Sequence, residues 1–314
     1  MTRSTIAALQ IGSDPGGTAA TVERITSFAE EIADRRCRLV VMPEAVLGGY
    51  PKGSEFGTRV GYRTPAGREE YLAYWQQSIE LDGPEVALLG DMAKKCNATI
   101  VIGVIERAGS TLYCTALIIS DQGRLAAKHR KLMPTASERL IWGRGDGSTL
   151  SAVDCAAGRI GSAICWENYM PLFRSAMYAK GVEIWCAPTV DERDIWQVSM
   201  RHIAYEGRMY LASACQYQPP PASQGKILDD WPDDQPLIRG GSLIVSPMGD
   251  ILAGPVVGKE ALISADIDLD EIVKARYDMD PAGHYSRPDI FALKVDERRR
   301  DPLYAINDQP DPAR

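Results

Sequence analysis

Several patterns are missing from this chain, and each absence removes a class of function. Histidine is scarce: His129, His202 and His284 are the only three in 314 residues. They are too scattered for a metal site or a Cys-His dyad, so packing or surface roles are expected of them. The seven cysteines, Cys37, Cys96, Cys114, Cys155, Cys165, Cys186 and Cys215, include no Cys-x-x-Cys pair. An odd, dispersed set argues for a reducing compartment and against structural zinc. No apolar run is long enough to span a bilayer. Met1-Thr2-Arg3-Ser4 leads straight into a strand pattern, without the look of a signal peptide. The expectation is a soluble cytoplasmic protein with no membrane partner. An excess of positive charge is also lacking, since 35 Lys and Arg face 42 Asp and Glu for a net charge of −7. That balance argues against nucleic acid as a partner. The runs Arg35-Arg36 and Arg298-Arg299-Arg300 read as solvated helix ends or tail. No phosphate loop follows a strand, because residues 143–147 carry no Gly-Lys-Ser/Thr.

What is present is a hydrophobic content of 45%, enough for one large α/β domain. No shift of composition divides the chain. Residues 1–307 therefore read as a single domain, and the Pro- and Asp-rich 308–314 as a mobile tail. Strand patterns occur at 5–11, 39–42, 99–105, 112–120 and 125–131, and again at 159–164, 182–187, 209–216, 242–246, 251–253 and 261–267. Helical spacing occurs at 18–36, 68–77, 84–96, 172–180 and 195–206. Pro188 reads as the stop of the 182–187 strand, and 219–240 as a surface loop. Strand–helix alternation mixed with hairpins points to a pair of mixed sheets with helices outside.

Three strand ends carry chemistry. Cys165 ends the apolar stretch Arg159-Ile160-Gly161-Ser162-Ala163-Ile164 and precedes Trp166-Glu167-Asn168. A thiol on a strand-to-helix turn stands off the sheet, where amides of the next turn favour thiolate and can hold an oxyanion. Pro43-Glu44-Ala45 follows Leu39-Val40-Val41-Met42, and Lys131 lies in Lys128-His129-Arg130-Lys131-Leu132-Met133-Pro134-Thr135. A thiol, a carboxylate and an ammonium can thus converge on one rim of a sheet pair. Cys186 also precedes a turn, but lacks a residue set that would expose it, so core packing is expected.

These segments together resemble the nitrilase branch of the carbon–nitrogen hydrolase superfamily. Gly48-Gly49-Tyr50-Pro51, Glu138-Arg139, Trp142-Gly143-Arg144-Gly145-Asp146-Gly147-Ser148, Ala187-Pro188-Thr189 and Gly283-His284-Tyr285-Ser286-Arg287-Pro288-Asp289 match as well, in the family's order. The tetrapeptide after Cys165 looks like the nitrilase branch rather than its amidase, carbamoylase or ω-amidase relatives. The resemblance implies an α/β fold, a four-layer α-β-β-α sandwich, and a homodimer or higher homo-oligomer.

It also implies hydrolysis of a small-molecule nitrile to a carboxylic acid and ammonia, with no cofactor and no metal. Cys165 would be the nucleophile and Glu44 the general base and acid. Lys131 would stabilise the tetrahedral intermediates, with the Trp166 amide as a second oxyanion donor. Glu138 would position Lys131 and the attacking water. Glu167 and Asn168 would organise the turn behind Cys165. Tyr50, Trp142 and Trp166 are candidates for the substrate pocket. An amidase or a cyanide-hydrolysing enzyme of the same superfamily is the alternative, and a silent scaffold on this fold the rival of another class. Aliphatic nitriles and dinitriles are favoured as substrates, with arylacetonitriles open.

Overall fold

Many strands of this sequence are apolar at both alternate sets of positions, so both of their faces require cover. The computed structural model, which describes residues 3–225, 228 and 231–300, supplies that cover in layers. The tail read at 308–314 lies outside the described residues.

Strand β1 (Arg3–Gln10) leads to helices α1 (Thr18–Ser27) and α2 (Ala29–Asp34), then to β2 (Cys37–Val41). A short hairpin, β3 (Thr58–Arg59) and β4 (Tyr62–Arg63), precedes α3 (Pro65–Gln77) and α4 (Pro84–Cys96). Strands β5 (Thr99–Ala108), β6 (Thr111–Ile119) and β7 (Leu125–Arg130) form a meander. Next come β8 (Ala152–Cys155), β9 (Gly158–Ser162), α5 (Pro171–Ala179), β10 (Ile184–Thr189), α6 (Asp194–Gly207), β11 (Tyr210–Cys215) and β12 (Tyr217–Gln218). Strands β13 (Ile238–Val245), β14 (Ile251–Val257) and β15 (Ala261–Asp268) and helix α7 (Asp270–Asp278) follow.

One sheet has the order β15-β1-β2-β5-β6-β7, and the other β12-β13-β11-β10-β9-β8 with β14 beside β13. The alternation of side chains sorts them into three apolar seams. Ile6, Ala8, Leu39 and Val41 meet Ile160, Ile184, Cys186 and Ala212 between the sheets. Their neighbours Ala7, Leu9 and Val40 face the other way, under Ile25 of α1, Ile32 of α2 and Leu89 of α4. On the far side Trp185, Ala187 and Leu211 pack under Phe173 and Met177 of α5 and Trp196 and Met200 of α6. The result is the expected α-β-β-α sandwich.

Three local readings of the sequence are corrected. The helix read at 18–36 is broken at Phe28. There the hydroxyls of Thr26 and Ser27 bond back to the carbonyls of Glu23 and Arg24, which loosens the regular ladder. Pro188 does not end its strand but lies inside β10, paired with Ala214 of β11. Pairing with β9 stops at Cys186–Ser162, so the N–H that Pro188 lacks faces an edge the neighbour has already left. The loop read at 219–240 gives way to β13 at Ile238, where Leu237 and Ile238 are fully buried. Helix α7 and strand β8 are additional elements that the apolar spacing did not signal.

Candidate active site

The strand ends after β2, β7 and β9 meet at one rim. Glu44 and Lys131 are fully buried there, and Cys165 and Glu138 nearly so. Cys165 opens a 3-10 turn, Cys165–Tyr169, with φ of 50°. A non-glycine residue in the left-handed region is strained and needs its surroundings to hold it.

Two side chains of the same turn do so. Glu167 accepts the amide of Ile164 at 2.8 Å on one oxygen and that of Leu132 at 2.6 Å on the other. His129 Nε2 adds a contact at 2.9 Å. Burial works against charge on Glu167, but His129 and the two amides hold its carboxyl below the ordinary value. Asn168 Nδ2 donates to the carbonyls of Cys165 (2.7 Å) and Ala163 (3.1 Å). Its Oδ1 accepts the indole N–H of Trp185 at 2.7 Å. These bonds give Glu167 and Asn168 the organising place expected of them, and give His129 a buried partner.

Lys131 Nζ lies between two carboxylates, 2.6 Å from Glu44 Oε1 and 2.8 Å from Glu138 Oε2. Glu138 is itself fixed. Its Oε2 accepts the Thr135 amide at 2.6 Å, and its Oε1 accepts the Tyr50 hydroxyl at 2.8 Å. Glu44 Oε1 also takes the Cys114 thiol at 3.6 Å, and its backbone carbonyl takes Gln216 Nε2 at 2.7 Å. Glu44 Oε2, by contrast, is buried without a hydrogen-bond partner.

Burial is the largest influence on Glu44, Lys131 and Cys165 alike. It pushes the Glu44 carboxyl above its ordinary value, against the pull of Lys131. On Lys131 burial acts downward, but the facing Glu44 carboxylate, with Cys114, Cys165 and Glu138, holds the ammonium well above its usual range. Burial and then Glu44 push the Cys165 thiol up, while Lys131 and the Thr189 hydroxyl oppose them. The net arrangement is a neutral thiol beside a carboxylate oxygen with a free lone pair and beside a permanent cation. It can deprotonate a thiol, protonate a leaving atom and stabilise an oxyanion.

A cavity of ≈250 Å³ opens onto Cys165 and is lined by Tyr50, Lys52, Thr135, Glu138, Trp166 and Val190, among others. A wider one of ≈570 Å³ adjoins it between the 50–59 and 137–141 segments. Tyr50 and Trp166, the expected pocket candidates, both line the first cavity. Trp142 stands behind them: it does not line the first cavity but packs edge-on to Tyr50 at 5.9 Å, with Lys131 Nζ 5.5 Å from its ring centre.

The sequence reading missed several neighbours. Thr189 contacts Cys165 Sγ, Cys114 contacts Glu44, and Lys52 pairs with Glu192 at 2.9 Å across the mouth. The matched Ala187-Pro188-Thr189 segment held a signal for the first. The other two meet only through the fold. Among the described residues no group of His, Cys, Asp and Glu is arranged to hold a metal ion.

A four-layer sandwich with thiol, carboxylate and ammonium gathered at one rim is the architecture of the nitrilase superfamily. The chain belongs to the carbon–nitrogen hydrolase family, whose model matches residues 5–277. It is 49% identical over 300 residues to an aliphatic nitrilase of Sinorhizobium fredii, covering 95% of this chain and 97% of that one. It is 51% identical over 292 residues to a bifunctional nitrilase/nitrile hydratase of Nicotiana tabacum, with 91% and 84% covered. Nitrilase 2 of Arabidopsis thaliana is 48% identical over 297 residues, with 92% and 88% covered. Among solved structures, the NitFhit protein of C. elegans superposes with a TM-score of 0.75 at 21% identity, over 96% of this chain and 69% of that one. A carbon–nitrogen hydrolase of Helicobacter pylori does so with a TM-score of 0.71 at 21% identity, over 92% and 97%. At that identity the superpositions establish the fold alone.

Proposed function

We propose that this chain is a nitrilase, converting R–C≡N and two waters to R–COOH and ammonia through covalent intermediates on Cys165. The observation that carries the reading is Lys131, buried between Glu44 and Glu138 beside a thiol raised on a strained turn. Full-length identity near one half to several nitrilases supports the substrate class.

Glu44 Oε2 takes the thiol proton as sulfur adds to the nitrile carbon, and delivers it to nitrogen. Water then adds to the thioimidate. Lys131 and the Trp166 amide stabilise the tetrahedral species, and ammonia leaves to give a thioester. A second water, activated by Glu44, releases the acid. Glu138 positions Lys131 and that water, held by Tyr50. Tyr50 and Trp166 shape the pocket, with Trp142 supporting Tyr50 from behind. A matched nitrile and amide pair, followed by ammonia release, tests the reading. Turnover of the amide alone would make the enzyme an amidase.

Amide release beside acid is a second product route, and one relative carries both activities in its name. An electron-withdrawing group beside the nitrile carbon lowers the basicity of the departing nitrogen, so thiolate leaves more often. Chromatography of products from a plain nitrile and its α-halogenated analogue measures this. A flat or falling amide fraction contradicts it.

Residues 1–307 act as one catalytic unit, and the protein works in the cytoplasm as a homodimer or higher homo-oligomer. The outward faces of α5 and α6 leave Leu172, Ile195, Val198 and Tyr205 exposed, apolar surface that a second copy would cover. A stable, active monomer in light scattering would contradict the assembly.

A further inference from the structure

Thr189 ends β10 and is fully buried. Its Oγ1 makes two hydrogen bonds. It accepts the backbone N–H of Asp191 at 2.9 Å, and it lies 3.3 Å from Cys165 Sγ. The hydroxyl has a single proton, and with sulfur charged that proton can only be donated to it at this position. Asp191 is held in turn by the Trp166 indole at 2.8 Å and by the Arg193 guanidinium. The hydroxyl therefore sits in a rigid frame aimed at the reacting atom. Burial and the Glu44 carboxylate disfavour charge on that sulfur, and a directed O–H is one of the few groups that favours it.

We propose that Thr189 is a catalytic residue, donating a hydrogen bond to the Cys165 sulfur whenever that sulfur carries charge. The proposal rests on Cys165 being the nucleophile of the reaction above. Sulfur carries charge at two stages: as its proton passes to Glu44 before attack, and as it leaves carbon. The second stage decides the product. From R–C(OH)(NH2)–S–Cys165, breaking C–N sends the hydroxyl proton to nitrogen and yields ammonia and the thioester. Breaking C–S returns the bonding pair to sulfur, sends the hydroxyl proton there, and yields the amide and free Cys165. A hydrogen bond to sulfur lowers the barrier to the second route and to release of the thioester by water. Removing it slows both, and shifts the partition from amide toward acid.

Two measurements test this, and the first needs no substrate. Alkylation of Cys165 by iodoacetamide, followed by peptide mass spectrometry across the neutral and alkaline range, is compared in the unsubstituted protein, Thr189→Val and Thr189→Ser. Thr189→Val is expected to slow alkylation about tenfold at neutral pH and to move the profile to higher pH by about one unit. Thr189→Ser keeps the hydroxyl and is expected to stay within about threefold. If Thr189→Val fails to fold by circular dichroism, Thr189→Ala takes its place against Thr189→Ser. The second measurement is the amide fraction from an α-halogenated nitrile, expected to fall in Thr189→Val and to return in Thr189→Ser. Alkylation of folded Thr189→Val at the unsubstituted rate and pH profile would overturn the proposal. Absence of nitrile turnover in the unsubstituted protein would instead sink the nitrilase reading and leave the alkylation result to judge Thr189 alone.

Discussion

Cys165 and Cys186 lie close together on one sheet and have opposite surroundings. Cys186 pairs with Ser162, three residues before Cys165. Both are buried, and burial pushes both thiols well above the ordinary value. Cys186 sits mid-strand, and its side chain falls among Ile160, Ile184 and Ala212 between the sheets. Cys165 lies beyond the last pair of β9, where φ of 50° turns its side chain out of the strand alternation. It belongs to an apolar cluster with Ala45, Cys114 and Ile164, but Glu44, Lys131 and Thr189 act on it as well. Burial alone makes a thiol inert. What distinguishes the position proposed as reactive is departure from the strand just where three other chain segments bring a carboxylate, a cation and a hydroxyl.

The largest effect tests the comparison directly. Cys165→Ala should abolish turnover, by on the order of 10⁴-fold or more, in a protein that remains folded. Cys186→Ala should keep its activity and lose about 1 kcal/mol of stability in urea unfolding. An active Cys165→Ala protein would erase the distinction.

Lys131→Met removes the cation and leaves two carboxylates facing each other. Turnover should fall about 10²- to 10³-fold, and the melting temperature should drop because buried charges lose their partner. A variant with unchanged kcat would show that the ammonium only fills space.

Glu167→Gln asks how much the strained turn matters. The carboxylate accepts from two amides and from His129, and an amide side chain cannot satisfy all three. A loss of about tenfold in kcat and a lower melting temperature are expected. Because the folded carboxyl lies below its ordinary value of 4.5, its contribution to stability is complete above that value and disappears as pH falls through the depressed folded one. Acid unfolding followed in both proteins should therefore converge at low pH. Curves that stay parallel would place the stabilisation elsewhere.

The pH profile gives a finer measure. As the proposed base Glu44 must be ionised to accept the thiol proton, and burial holds its carboxyl above the ordinary 4.5. The acidic limb of kcat/KM should accordingly lie above 4.5, with activity lost as pH falls through it. A limb at or below that value would show that the Lys131 ammonium outweighs burial at this carboxyl. The smallest expected effect is none at all. In the proposed mechanism carboxylate and ammonium supply the proton transfer and charge stabilisation, so dialysis against a chelator should leave the rate unchanged. Loss of activity restored by a divalent ion would break that account.

Much of this protein was legible because its signals are local. Short apolar runs between turn signals, and helical spacing, located nearly all the long elements, and the strand-end positions of Glu44, Lys131 and Cys165 followed from them. The errors were also local. Back-bonding hydroxyls at Thr26 and Ser27 broke a helix that apolar spacing alone would continue, and Pro188 was tolerated at a vacated edge.

The sequence by itself determined the residue types at the rim, the layered class of fold and the family, since each is carried by short patterns of side-chain chemistry. Only the tertiary structure decided which carboxylate oxygen stays unpaired and which side of Lys131 each glutamate takes. It alone put Trp142 behind Tyr50 and Thr189 against the sulfur. Those outcomes depend on segments as far apart as Glu44 and Lys131, or Cys165 and Thr189, being packed to within a few ångströms. No local spacing encodes such an approach, because it is the packing of two sheets and their helices that fixes it.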